Sequence, residues 1–313
     1  MAQQPVIRTT TTTAQARRDL PTGDVLDSTF THPRVAPFPS RAESIETTAL
    51  HPLPFVSPFA TWKEELSSAP LYRAGIAELV GTAIFLIFGV GTAIFQSTLV
   101  GATLSMRAFV VAAGFGLGYI FAASLFGQHS LALFNPAFSF ALFCIGRVSF
   151  VRFLCDTLSE LIGGIIGVAL LWAMIPATEW SNGAPTLPAA TATWGTAFLC
   201  ESVLASLLGM GLSSLLTDPK QHHRNIMNVV MGLGIAMATL VGFHISGGSF
   251  NPARSFASSV VGGVFGKSHW IYWLAPLIGA AVGAGVYYGI FNLGLKEKPA
   301  QEYQEVGGGY SIA

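Results

Sequence analysis

The sequence predicts an all-α membrane protein of six transmembrane helices plus two re-entrant half-helices, arranged as an inverted 3+3 repeat. Three observations predict it. Hydrophobic residues make up 51% of the 313 positions and charged residues only 10%, too little charge to keep a soluble domain of this size dispersed. Six apolar stretches, 71–95, 108–126, 152–175, 194–216, 227–243 and 270–292, approach the roughly 20 residues that cross a hydrocarbon core about 30 Å thick. The phrase FNPAFSFA at 134–141 returns as FNPARSFA at 250–257, with Phe138 alone changed to Arg254.

Each span carries closely spaced glycines, as in GLGYIFAAS and LIGGIIGVA. Small residues let helix backbones approach where no hydrophobic effect drives association. An even number of spans puts both termini on one side. That side collects the tail cations Arg8, Arg17, Arg18, Arg34, Arg41, Lys63 and Arg73, joined by Arg147, Arg152, Lys220, Arg224, Lys296 and Lys298. The other side keeps Arg107 and Lys267, with Arg254 set apart. Excess Lys and Arg mark the cytoplasmic face, so both termini are expected there.

Sliding the chain by 116 residues aligns Gly116–Ala141 with Gly232–Ala257 without a gap, and 12 of the 26 positions are identical. Glu78 in AELVGT and Glu201 in CESVLA mark the first span of each half. Three spans per half force the second half upside down relative to the first. The segments after the repeated phrase, 135–146 and 251–264, are too short to span. Asn is a strong N-cap and Pro suits the first helical turn, so Asn135-Pro136-Ala137 and Asn251-Pro252-Ala253 read as helix starts. Two half-helices entering from opposite faces would bring their N-termini together at mid-depth, where each contributes roughly half a positive charge. Non-helical backbone at that depth is tolerated only inside protein or along an aqueous path. The loops SLALF and SGGSF would offer backbone carbonyls along it, from Leu131, Ala132, Leu133, Gly247 and Ser249. The result is a single-file pore for uncharged hydrogen-bonding solutes.

The doubled NPA, the AE…GT opening and NPARSF resemble the aquaporin, or major intrinsic protein, family over about residues 71–293. The resemblance implies that Asn135 and Asn251 orient the solute. It also implies a four-residue selectivity filter of Phe115, Thr239, Gly248 and Arg254, in which Arg254 donates to solute and repels cations. An arginine at membrane depth is costly and usually lines a water-filled cavity, whereas Phe138, its counterpart, is expected to pack. Water-selective relatives usually carry His at the position of Thr239, which is smaller here, and Gly248 adds no bulk, which implies a broader range: water, glycerol, and further urea or hydrogen peroxide. Ser255 and the pair Tyr272–Trp273 look instead like the water-channel branch. The long tail, Thr239 and Gly248 are similar to the X-intrinsic subgroup of plants and fungi. The first loop departs from the family's Ser-Gly-x-His by writing Ser130-Leu131-Ala132-Leu133, which makes the cytoplasmic mouth more apolar. A homotetramer with one pore per subunit is likewise implied, in the lipid bilayer and with the plasma membrane favoured over internal membranes.

Residues 70–293 are thus the channel domain, with halves at about 71–176 and 194–293. Residues 1–69 read as a disordered cytoplasmic tail, with five threonines at Thr9–Thr13 and many prolines, and without the pattern of a secretory signal. Residues 294–313 read as a cytoplasmic C-terminal tail. Trp62, Tyr72 or Phe59 could plug the cytoplasmic mouth, and His222 and His223 could gate it by protonation, although a solvated basic loop is the plainer reading.

No phosphate loop, nucleophile–base pair or metal-ligand cluster is seen, so no enzyme, cofactor or metal is expected. Zero net charge points away from nucleic acid. Cys144, Cys155 and Cys200 lie in or beside apolar runs and read as buried, inert thiols. His244 reads as a packed or hydrogen-bonded residue. Glu78 and Glu201 read as structural acceptors for loop N–H groups. The alternatives are a secondary transporter coupled through those two glutamates, and a closed structural or adhesive membrane protein.

Overall fold

The computed structural model describes residues 53, 62–218 and 224–292. The elements in chain order are α1 (Trp62–Leu66), α2 (Ala69–Phe95), α3 (Leu104–Phe126), α4 (Pro136–Cys144), α5 (Phe150–Met174), α6 (Trp194–Thr217), α7 (Arg224–Gly242), α8 (Pro252–Gly262) and α9 (Ile271–Tyr287), the last running into a π turn at Tyr288–Asn292. No strand occurs among the described residues.

Local chemistry sets the helix starts. Thr103, Ser149 and Thr193 each turn a side-chain oxygen onto an N–H of the first turn of α3, α5 and α6, and Pro follows the cap of α2, α4 and α8. Among the described residues five helices are long and apolar enough to cross a membrane: α2, α3, α5, α6, and α9 with its π turn. The stretch expected as the fifth span is a shorter apolar helix, Ile226–Gly242 within α7. Its start borders residues 219–223, which include Lys220, His222 and His223 and lie outside the described residues.

The two halves pack alike. Helix α2 lies on α5 and α3 as α6 lies on α9 and α7, while α4 packs on α9 and α8 on α5, each short helix seated against the opposite half. Helices α3 and α7 cross at their glycines. A Cβ added at Gly116 would come 2.7 Å from the Gly232 carbonyl, and one at Gly232 2.7 Å from the Gly116 carbonyl. The same device recurs off the axis. A Cβ at Gly163 would sit 2.1 Å from the Leu79 carbonyl and one at Gly279 2.2 Å from that of Ser202. Helices at such distances are held by backbone contact and dispersion, as in lipid-embedded bundles.

Large apolar side chains cover the outside: Leu117, Phe121, Ile162, Leu170, Leu199 and Val282 are all exposed. Carboxylates within the long helices are inside, with Glu78, Asp156, Glu160 and Glu201 fully buried. This inversion of the soluble pattern is that of an integral, multi-pass membrane protein. It also corrects the reading of the cysteines. Cys144 is exposed and Cys155 and Cys200 are half-buried, because apolar runs here face outward as often as inward.

The stretch read as tail contributes structure. Leu53 is buried, donates its N–H to the Leu216 carbonyl at 3.0 Å, and accepts from the Arg147 guanidinium, which lies over the Tyr288 ring at 4.7 Å. Helix α1 is tied to α5 through Ser149 Oγ, which donates to the Glu65 carboxylate at 2.7 Å. Trp62 and Tyr72 do not enter the mouth. Both are half exposed and line an apolar outer groove with Leu66, Phe150 and Leu154. Phe59 and the rest of 1–61 apart from Leu53, and the 293–313 tail with Lys296 and Lys298, lie outside the described residues.

Candidate functional site

The site is built where α4 and α8 begin. Asn135 Oδ1 accepts the Ala137 N–H at 2.9 Å, and Asn251 Oδ1 accepts that of Ala253 at 2.9 Å and of Arg254 at 3.3 Å. Each cap leaves its amide nitrogen free to reach the other half. Asn135 Nδ2 donates to the Phe250 carbonyl at 2.9 Å, and Asn251 Nδ2 to the Phe134 carbonyl at 2.8 Å. The two helix starts therefore meet, with Pro136, Ala137, Pro252 and Ala253 buried in their first turns.

The loops leading in turn left-handed in matched places. Ala132 and Phe134 take φ of 52° and 48°, and Gly248 and Phe250 take 63° and 53°. A bulky residue in that left-handed region costs about 1–2 kcal/mol, so something must hold it. Glu78 does so in the first half, accepting the Leu133 N–H at 3.1 Å and the Phe134 N–H at 2.8 Å. Glu201 does so in the second, accepting the Ser249 N–H at 3.0 Å, the Phe250 N–H at 2.6 Å and the Ser246 hydroxyl at 2.6 Å. The loops differ at one turn. Gly247 takes φ of 90°, whereas Leu131 is not among the positive-φ residues.

A narrow internal cavity of about 20 Å³, counted as room for water-sized centres, passes these helix starts. That is space for one or two waters. Its walls bring together Asn135, Asn251, Phe115, Thr239, Arg254, Leu133 and Ser249. Gly248 stands behind the wall, where a Cβ would meet the Thr239 carbonyl at 3.3 Å. Leu131, Ala132 and Gly247 do not line the cavity either, and the Ala132 carbonyl is engaged by the Tyr119 hydroxyl at 2.9 Å. Neither Glu78 nor Glu201 reaches the cavity wall.

Arg254 is buried and held by neutral acceptors. Its guanidinium donates to the Ala184 carbonyl at 3.1 Å and to the Thr186 hydroxyl, and its carbon lies 5.5 Å from the centre of the Phe115 ring. Thr186 also meets the Ser255 hydroxyl at 2.9 Å. The α5–α6 connection thus positions the arginine from about 70 residues away in sequence, which no local pattern announces.

Sequence reasoning missed several residues. Phe138 packs as expected, fully buried in the core, and it also lines the cavity with Asn135. Phe85, Tyr119, Leu208, Ile235 and Phe250 complete the wall. Buried Glu160 accepts the Ser139 hydroxyl of α4 at 2.9 Å, and buried Asp156 pairs with half-buried Arg152 at 2.6 Å. A carboxylate inside an apolar run was the available signal for both acids. His244 packs edge-on against Phe243, yet its Nδ1 has no hydrogen-bond partner. Among the described residues no cluster of His, Cys, Asp and Glu could hold a metal ion.

A helical bundle that crosses the membrane several times, with two helix starts and an arginine turned on a water-sized internal cavity, is a membrane channel. The family model described as Major intrinsic protein matches residues 65–287, and the chain belongs to that family, whose members are channels rather than enzymes. It is 30% identical over 226 residues to aquaporin-5 of Ovis aries, covering 72% of this chain and 83% of the relative. With the lens fiber major intrinsic protein of Homo sapiens it shares 30% over 223 residues, covering 71% of this chain and 82% of that one. The crystal structure of the aquaglyceroporin from Plasmodium falciparum superposes with a TM-score of 0.60 at 21% identity, over 71% of this chain and 97% of that one. That likeness is one of fold.

Proposed function

We propose that the protein passes small uncharged solutes, water and glycerol first and further urea or hydrogen peroxide, passively across the membrane while excluding protons and ions. The observation that carries this is the placement of Asn135, Asn251 and Arg254 on one water-sized cavity. Each amide nitrogen has two hydrogens and uses one across the halves, which leaves one for a passing solute. Two helix N-termini and a guanidinium with neutral partners give the centre a positive potential. A cation entering it loses water and gains repulsion, whereas a hydroxyl meets donors.

In this reading α4 and α8 are half-helices entering from opposite faces. End to end, at 1.5 Å per residue, they reach about 30 Å, the hydrocarbon thickness. Helix α7 supplies the sixth span. Phe115, Thr239 and Arg254 line the filter with Gly248 backing it, and the small Thr239 and Gly248 leave it wide enough for a polyol. The names of the relatives divide between aquaporin and aquaglyceroporin, in keeping with a solute range that includes both. Both termini lie in the cytoplasm, and the subunits assemble as a homotetramer in the plasma membrane. A transporter coupled through Glu78 and Glu201 is disfavoured because both carboxylates are occupied by loop N–H groups away from the cavity. Stopped-flow swelling of proteoliposomes with water, glycerol, urea and hydrogen peroxide tests the proposal. Flux should track the solute gradient alone; dependence on a proton or sodium gradient would restore the transporter, and no flux would favour the closed protein.

A further inference from the structure

We infer that Phe138 forms a second, wholly apolar constriction on the cytoplasmic side of the paired asparagines, and that it limits the rate of water passage. The inference rests on the channel reading above.

The 116-residue repeat assigns every residue of the proposed outer filter a counterpart in the other half. Phe115 corresponds to Met231, Thr239 to Ala123, Gly248 to Ala132 and Arg254 to Phe138. The backbone repeats with the sequence: Ala132 and Gly248 share a left-handed φ, as do Phe134 and Phe250. Met231, Ala123, Ala132 and Phe138 are all buried in one core cluster. Of this inner set Phe138 lines the cavity, with a phenyl ring where the second half has the guanidinium, and none of the four carries a polar side chain.

Phe138 is not merely equivalent by count. It and Arg254 occupy the same turn of α4 and α8, and both line the cavity that holds Asn135 and Asn251. The wall beside it is apolar as well, since Leu133 takes the place that Ser249 has in the second half. In the loop before α4 the Ala132 carbonyl is already engaged by Tyr119. A water at this level therefore exchanges its hydrogen bonds for apolar contact, in a cavity with room for one or two waters. Apolar narrowings of this kind resist wetting, and a polar solute crosses one at the cost of its lost hydrogen bonds.

The test is osmotic swelling of proteoliposomes carrying the full chain, with Phe138→Ala, Phe138→Val and Phe138→Trp beside wild type and empty liposomes. Water permeability per protein should rise in the order Trp, wild type, Val, Ala, by roughly tenfold from wild type to Ala, as for a barrier lowered by about 1.4 kcal/mol. A gain of flux is the decisive readout, because loss of a merely structural ring lowers folding and flux together. If Ala is misfolded, the Trp–wild type–Val order decides alone. Wild type that conducts with all folded variants equal to it, or slower, overturns the constriction and leaves the channel standing. Wild type and every variant no faster than empty liposomes overturns both. A silent wild type opened by Phe138→Ala supports both.

Discussion

Asn135 donates its side-chain amide to the Phe250 carbonyl across the two halves of the chain at 2.9 Å, and Asn251 returns the bond to Phe134 at 2.8 Å. One side chain thereby starts a helix, spans the internal repeat and faces the cavity. Removing Asn251 as alanine loses the cap of α8 and the bond across the halves, about 1 kcal/mol each. Asn251→Asp keeps the cap oxygen, loses the donor and turns a carboxylate on the Phe134 carbonyl. Both variants should melt below wild type in detergent by circular dichroism, and a Tm unchanged in both would show that the cross-bond contributes nothing.

Glu201 offers a second measurement. Its two oxygens receive the Ser249 and Phe250 N–H groups and hold Phe250 in the left-handed region. Glu201→Leu leaves two buried donors unpaired, at about 1–3 kcal/mol each. Glu201→Gln keeps an acceptor for one of them. The expected order of thermal stability is wild type, then Gln, then Leu. Flux with a Leu variant as stable as wild type would mean that the loop is held by something else.

Thr239 is buried and lines the same cavity as Arg254. Thr239→His adds bulk and a donor to the proposed filter. Glycerol permeability should fall roughly tenfold or more while water falls less, since a larger solute loses more to a narrower opening. Equal losses for both solutes would count against Thr239 as a filter residue.

His269, in the connection between α8 and α9, has both ring nitrogens engaged. Trp273 Nε1 donates to Nε2 at 3.1 Å, which leaves the proton on Nδ1, facing the Ser259 hydroxyl at 3.3 Å. Burial lowers its pKa below the ordinary 6.5. The neutral form is therefore the folded one. Its contribution is complete above the unfolded pKa and is lost as pH falls through the lower folded value, because the unfolded chain then binds more protons. Melting temperature should decline on acidification below about pH 6.5, and less steeply in His269→Gln. Parallel slopes for the two proteins would remove His269 from the account.

Much of this protein was legible as pattern. The spacing of apolar runs located α2, α3, α5, α6 and α9 to within a few residues, because lipid demands a long, uninterrupted apolar helix. Asn-Pro-Ala twice over located the starts of α4 and α8, because a cap and an N1 proline act within one turn. That Phe138, packed as expected, also lines the cavity was not legible, for the opposite reason. An aromatic residue in an apolar run carries no local mark of whether it meets protein, lipid or a water-sized cavity. The cysteines failed in the same way, and α1 and Leu53 escaped notice because their partners, Ser149, Leu216 and Arg147, lie far along the chain.

The sequence by itself determined that the chain is a membrane-spanning helical repeat with two capped short helices, since periodicity, caps and hydropathy are properties of neighbours. Tertiary structure alone decided that Thr186 and Ala184 hold Arg254, that the asparagines exchange bonds across the halves, and that Phe138 faces the cavity. Those facts depend on how two halves interlock, and a linear spacing does not specify which surfaces close contact once glycines let the backbones meet.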